Sequence, residues 1–371
     1  MTDPEGRRRR SGGPARPERR TAPTIAAFHM PEIDMAASPS PRWQVERIVH
    51  FGPQDFVVDG LAHFGFHVRD GGYYPIDHPR HVLGCLDRHG RLAWTAAAAP
   101  VVEGVPNLPV ELDFPMFVDL LPGGSLVVSN FGNARLVRID PGRGTADVLV
   151  DGRALGMADM GNCVVDASGS IWVNEVTGCR IWRFDEAGQV LQTLGDGTPG
   201  FAHGRTGFER VRFNWIYDIR RGPDDRLYVL DSRNFAVRVV DPADSTVTTI
   251  AGTGEPGYGG DGGPATMATF GSDPTARFDG PISLALDEAG NAYVGDRQNH
   301  VVRTIEASSG TIYTIAGRPD TADERPNDAQ EPDPAALNLP QISSLDYAAG
   351  RLFVPTDLGD VRGDLVLLRR H

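Results

Sequence analysis

Four segments share one order of apolar and polar positions and superimpose without a gap. They are "PMFVDLLPGGSLVVSNFGNARLVRID" (115–140), "MGNCVVDASGSIWVNEVTGCRIWRFD" (160–185), "IYDIRRGPDDRLYVLDSRNFAVRVVD" (216–241) and "PISLALDEAGNAYVGDRQNHVVRTIE" (281–306). In each, an apolar run leads into a turn with Gly or Asp, then into a run of β-branched and aromatic residues. A turn opened by Asp, Asn or Glu follows, and a third run ends on an acidic residue. A fourth short run comes after each copy: "TADVLV", "QVLQTL", "TVTTIA" and "TIYTIA". Short strands at regular spacing, with no helix-length pattern between them, predict an all-β repeat architecture.

Two weaker copies flank the four: "AHFGFHVRDGGYYPIDHPRHVLGCLD" (62–87), with "RLAWTA" as its fourth strand, and "LPQISSLDYAAGRLFVPTD…GDLVLLRR" (339–370). The last copy has three strands, and "WQVERIVHFG" (43–52) ends in "ERIVHFG", which matches "VTTIAG" and "IYTIAG". The N-terminal strand is therefore expected to complete the last unit, which closes a ring and removes free sheet edges.

Within these repeats "GPISLALDEAGNAYVGDRQNHVVRTIE" resembles the NHL repeat, and "AGTGEPGYGGDGGPATMATF" resembles the linker between such repeats in bacterial members. The resemblance is strongest over 214–317, fair over 113–195 and weakest in the first and last units. It implies a six-bladed β-propeller of four-stranded antiparallel blades over 41–371, with units near 53–100, 113–150, 158–195, 213–252, 279–317 and 338–371 plus 43–50. It does not imply one function: NHL-like propellers bind protein or RNA, form extracellular rings, or act as lyases.

Composition narrows the setting. No run approaches the roughly 18–20 apolar residues of a membrane helix. The N-terminal arginines are not followed by an apolar leader, so the expected compartment is the cytoplasm. Cys85, Cys163 and Cys179 form no ligand spacing, which argues against a disulfide scaffold or structural zinc. All 36 basic residues are Arg. Residues 1–20 hold seven of them against Asp3, Glu5 and Glu18, a net of +4; with −13 for the chain, the remainder carries −17. An acidic body disfavours nucleic acid and anionic membrane as partners. Residues 1–40, rich in Arg and Pro, read as a disordered tail.

The stretch "GTGEPGYGGDGGPA" (252–265) contains G-x-G-x-x-G after a strand, the spelling of a dinucleotide cradle. "GDGTPGFAHG" (195–204) repeats it, and neither opens the long helix that would aim its N-terminus at a pyrophosphate. Both are expected to be blade boundaries. Neither a cofactor nor a metal is expected from the motifs.

In a propeller of this strand order, the blade-to-blade loops and the turns between second and third strands share one face, here called the top. The first strands line the channel. The polar residue opening each second turn is Asp77, Asn130, Glu175, Asp231, Asp296 and then Thr356 or Asp357. Asp and Asn suit a compact turn there, whereas the longer Glu175 is a ligand-binding candidate. One channel column reads His63, Met116, Gly161, Tyr217, Ile282 and Gln341, and the next Phe64, Phe117, Asn162, Asp218, Ser283 and Ile342. His63, Tyr217 and Asp218 are the catalytic candidates, and Asn162, Ser283 and Arg220 join Glu175 as candidates for ligand binding. The alternative is a wet channel whose side chains bond one another and water.

By the resemblance, the amidating lyases of this family would hold zinc with His in several blades of the first column, where this chain has only His63. His78, His203 and His300 lie in top-face loops or turns. Arg220–Arg221 offers either a salt bridge or a carboxylate-binding fork. Residues 318–338 form an acidic, Pro-rich insert expected over the top face. Together these features predict binding of a protein or a small polar molecule at the top face and channel mouth. The alternative is a lyase, isomerase or hydrolase acting at that mouth. Oligomeric state stays open.

Overall fold

A computed structural model describes residues 43–51, 64–69, 71–87, 91–272, 280–319, 333–357 and 363–370. The tail 1–40, His63 and most of the acidic insert lie outside these residues. Six sheets, antiparallel through their four main strands, follow one another along the chain as the blades of a propeller. Their strands are called a to d from the channel outwards.

Blade two shows the pattern plainly, with strands Pro115–Leu120, Leu126–Asn130, Arg135–Asp140 and Thr145–Asp151 in spatial order. The a strands of the others are Phe64–Arg69 in blade one, Cys163–Val165 in three, Ile216–Arg221 in four and Pro281–Leu286 in five. In blade six the a strand is broken into Gln341–Ile342 and Asp346–Ala348. All five expected fourth strands form, at Leu92–Ala97, Thr145–Asp151, Val190–Leu194, Thr246–Ala251 and Ile312–Gly317.

The ring closes as expected. Trp43–Phe51 pairs antiparallel with Gly363–Arg370, from Trp43 opposite Arg370 to Phe51 opposite Gly363, and so serves as strand d of blade six. Glu46 ties this strand to Arg351 at 2.8 Å, and Trp43 meets Tyr293 of blade five edge-on at 5.3 Å.

The core is distributed around the ring, between one blade face and the next. Val118, Leu126 and Ile139 pack with Ile76 and Leu83 between blades one and two. Leu284, Val294 and Ile305 pack with Leu230 and Val237 between four and five. Strands buried on both faces explain the unbroken apolar runs.

Two short strands were not evident in the repeat pattern. Asn107–Pro109 adds to the d strand of blade one in parallel, and Arg205–Gly207 to that of blade four antiparallel. Both come from blade-to-blade loops, and both cover an outer edge.

The glycine-rich loops are blade boundaries. Gly252 has φ +95°, and a Cβ there would lie 2.1 Å from the carbonyl oxygen of Phe235. Gly195 and Gly317 end their d strands in the same way, facing the carbonyls of Cys179 and His300. Each loop crosses against the start of strand c, where only glycine fits. The first helical residues after "GTGEPG" are one 3₁₀ turn, Ala265–Met267, too short to present a phosphate site.

Candidate functional site

The polar residue after strand b does more than shape its turn. Asn130 Oδ1 accepts the amide of Asp113 at 3.0 Å, Asp231 Oδ1 that of Asn214 at 2.7 Å, and Asp296 Oδ1 that of Gly271 at 3.0 Å. In each case the bond clasps the loop entering the blade. Glu175 makes the same clasp, accepting the amide of Ala158 at 2.7 Å. Its other oxygen takes Trp182 Nε1 at 3.0 Å and lies 3.3 Å from Arg180. The longer side chain thus performs the same structural bond, and the reading that it stands apart from its repeat counterparts is corrected. Asp159 caps the neighbouring turn, accepting the amides of Val176 and Thr177.

The other candidates meet in a polar hub that joins the a strands. Asp218 is buried, accepting Asn162 Nδ2 and the amide of Leu284 at 2.8 Å, and its Oδ1 lies 3.0 Å from Arg220 Nη1. Arg220 spans the channel: Nε donates to the Leu284 carbonyl at 2.6 Å and Nη2 to that of Leu345 at 3.0 Å. Its guanidinium lies 4.1 Å from the Phe117 ring centre. Ser283 is buried in the same layer as Asp218, opposite Gly295, and its Oγ has no hydrogen-bond partner among the described residues. Tyr217 occupies the bulge residue before Asp218 and is half-buried. His63, outside the described residues, is not placed.

The remaining members of the hub went unread in the sequence. Arg69 lies 2.7 Å from Asp346 and 3.1 Å from Asp119, and sits 4.7 Å from the Phe117 ring centre. Asp119 accepts the amide of Val165 at 2.8 Å, and Asp346 that of Val68 at 3.0 Å. His67 packs edge-on against Phe117, with Nδ1 3.5 Å from Asp346, and neither ring nitrogen has a hydrogen bond among the described residues. The hub therefore links all six blades.

A register rule would have found two of these residues. Blades two, four and five carry a bulge at the start of strand a, and blade one does not. Counting rungs back from the polar residue of strand b brings His67, Asp119 and Arg220 into one layer, opposite Tyr74, Val127 and Tyr228. An ionisable residue in an otherwise apolar strand is the signal. Without the bulge, blade one slips by one residue.

Burial sets the electrostatics. It pushes the Asp218 carboxyl up to about 6, against the pull of Arg220 and its hydrogen bonds. It pushes His67 down to about 4, overriding Asp346. For Asp346 burial acts upwards but is outweighed by Arg69, His67 and Arg220, which hold its carboxyl well below the usual range. The hub thus sets an ion pair, Arg69–Asp346, beside a carboxyl that burial pushes up to about 6.

Below the hub is a cavity of about 540 Å³, lined by Arg69, Asp119, Arg220, Arg221, Glu288, Asp346 and neighbours. Its rim residues end the a strands, so it opens on the face of the a–b turns, opposite the top face where a site was expected. The reason lies in the side chains: charged groups concentrate at the C-terminal ends of the a strands. His78, His203 and His300 stay apart. The first touches the Pro115 carbonyl, the second meets Phe201 edge-on with ring centres 4.5 Å apart, and the third lies 3.2 Å from the Leu339 carbonyl. Among the described residues, no three potential metal ligands converge.

No family profile matches the chain. Over 118 residues it is 31% identical to NHL repeat-containing protein 2 of Gallus gallus, covering 31% of this chain and 15% of that protein. Over 144 residues it is 27% identical to the chloroplastic protein SUPPRESSOR OF QUENCHING 1 of Arabidopsis thaliana, covering 39% and 12%. The chain thus spans a small part of either relative. Among solved structures, a protein of unknown function from Bacteroides thetaiotaomicron matches with TM-score 0.59 at 12% identity, over 89% of this chain and 77% of that one. An auxiliary nutrient binding protein from Bacteroides ovatus gives 0.57 at 16%, over 89% and 78%. A gluconolactonase from Xanthomonas campestris gives 0.53 at 16%, over 92% and 98%. At these identities the likeness extends to the fold alone.

Proposed function

We propose that this chain, an NHL-type six-bladed β-propeller, binds a small polar molecule in the cavity beneath its hub. The observation that carries this reading is the cavity's lining. At about 540 Å³ it has the size of a small-molecule site, and charges of both signs reach it from buried positions. Arg69 and Asp119 are each largely buried yet keep 16% and 17% of their side chains open. Arg221 and Glu288 stand at the more exposed rim. A guanidinium fork takes a carboxylate in bidentate fashion, while carboxylates take hydroxyl or ammonium donors. Hydroxy acids, sugar acids and amino acids combine these groups. The fold hosts many functions, so the lining and not the architecture supports this reading.

A thermal-shift screen of such compounds, followed by calorimetry on the best stabiliser, tests it. Arg221→Ala and Glu288→Gln alter the rim without touching the hub, and each is expected to weaken that compound about tenfold, the equivalent of ~1.4 kcal/mol. Binding unchanged in both variants would place the site elsewhere.

A catalytic use is the second reading, and Asp218 favours it. Its carboxyl, pushed up to about 6 by burial, does not itself line the cavity but lies 3.0 Å from Arg220, which does. Turnover of a bound hydroxy acid or lactone, lost in Asp218→Asn while binding persists, would establish it.

A further inference from the structure

Blades four and five carry the same buried arginine on strand c, but only one of the two is fully satisfied. In blade five, Arg303 is completely buried and sits between Tyr258 and Phe270, at 5.4 and 5.2 Å from their ring centres. Nε and Nη2 both reach Asp261 Oδ1, at 3.1 and 2.6 Å, and the carbonyls of Thr269 and Gly259 take further N–H bonds. In blade four, Arg238 is also completely buried, 5.4 and 5.9 Å from the ring centres of Phe201 and Phe213. Its Nη1 lies 3.0 Å from Asp231 Oδ2. Its Nε and Nη2 have no partner among the described residues.

The difference traces to one position. The loops have equal length between matching contacts: Gly200 N donates to the Phe213 carbonyl as Gly257 N does to that of Phe270. In this alignment Gly204 stands where blade five has Asp261. The Gly204 carbonyl takes the amide of Thr249, a bond that Asp261 Oδ2 makes to Thr314 in blade five. Among the described residues, nothing takes over the bonds of Oδ1. Gly204 is exposed with φ +75°, and a Cβ placed on it would meet no atom within 4 Å. Asp261 keeps 38% of its side chain exposed, which shows that this position lies at the rim.

We infer that blade four binds a small free carboxylate at the Nε–Nη2 edge of Arg238, in the place of the missing Asp261 carboxylate. Two parallel N–H donors on a buried guanidinium match a carboxylate's two oxygens, and leaving them unmade is costly. The flanking rings of Phe201 and Phe213 keep the donors out of bulk water, which strengthens the bond.

Titration of the full chain with sodium formate tests this, against sodium chloride at equal ionic strength. Formate is expected to raise Tm saturably and beyond chloride, as a ligand of the native state must. Arg238→Lys keeps a charge beside Asp231 but lacks the fork, and is expected to lose the response. Gly204→Asp offers a carboxylate from the chain, at the cost of a left-handed φ of +75° that Asp261 does not have, and is expected to abolish the formate response even should Arg238→Lys fail to fold. A wild-type shift no larger than chloride's, or a response that survives in Gly204→Asp, would overturn the inference.

Discussion

Asp218 and His67 are perturbed in opposite directions by the same burial, and the consequences for stability separate by pH. The folded state holds Asp218 at about 6 against an ordinary 3.8, so the unfolded chain releases that proton first. Stability from this group is full below pH 4 and falls as pH rises towards 6. His67 sits at about 4 against an ordinary 6.5, so between these values the unfolded chain takes up a proton that the folded one refuses. Its contribution is present above pH 6.5 and lost as pH falls towards 4. Melting curves from pH 4 to 7 are expected to show His67→Gln losing less stability than wild type on acidification. Asp218→Asn is expected to gain on wild type as pH rises through the same range. Parallel curves for variants and wild type would contradict the assigned shifts. At this scale the sequence was informative wherever a polar residue interrupted an apolar strand, as at Asn162, Asp218 and Arg220. It was silent on Arg69 and Asp346, which reach the hub from the end of a strand and from a break in one. Chain spacing does not encode those positions.

The loops between blades do their work through backbone. Gly252 and Gly262 lie in one loop, and both have positive φ, +95° and +79°. Only the first would drive a Cβ into a carbonyl; the second faces open space. Chemical denaturation is expected to show Gly262→Ala costing about 1 kcal/mol, from the left-handed conformation alone. Gly252→Ala is expected to cost clearly more, roughly 3 kcal/mol, because the Phe235 carbonyl has to move. Equal costs would mean that the crossing is not tight. The same elements explain the clasps. Asp296 holds the loop that Gly252 starts, and Asp231 the loop that Gly195 starts, so glycine and acid are two halves of one joint; Asn130 and Glu175 make the same clasp in blades two and three. Their recurrence along the chain was legible. That the acid bonds the incoming loop was not, because the donor lies about 17 to 25 residues earlier in the chain and is met only when the blade folds.

Closure is the property of the whole ring. The strand Trp43–Phe51 covers the edge of Gly363–Arg370, and without it a long edge bearing buried Leu365 and Leu367 stands open. Removal of residues 1–51 is expected to convert a monodisperse species into aggregates on size-exclusion chromatography and to abolish cooperative melting. A truncated protein that stays soluble and melts as wild type does would show that closure is dispensable. Periodicity alone determined the all-β class, the six units, the phase of the glycines and the pairing of the first strand with the last. These follow from local patterns repeated along the chain, since each blade must bury two faces against neighbours of its own kind. Tertiary structure alone decided which end of the channel carries charge, that Arg220 bridges blades four and six, and that Arg238 lacks the carboxylate that Arg303 has. Those facts depend on bulges, one-residue slips and contacts between blades far apart in sequence, and a repeat pattern averages such departures away.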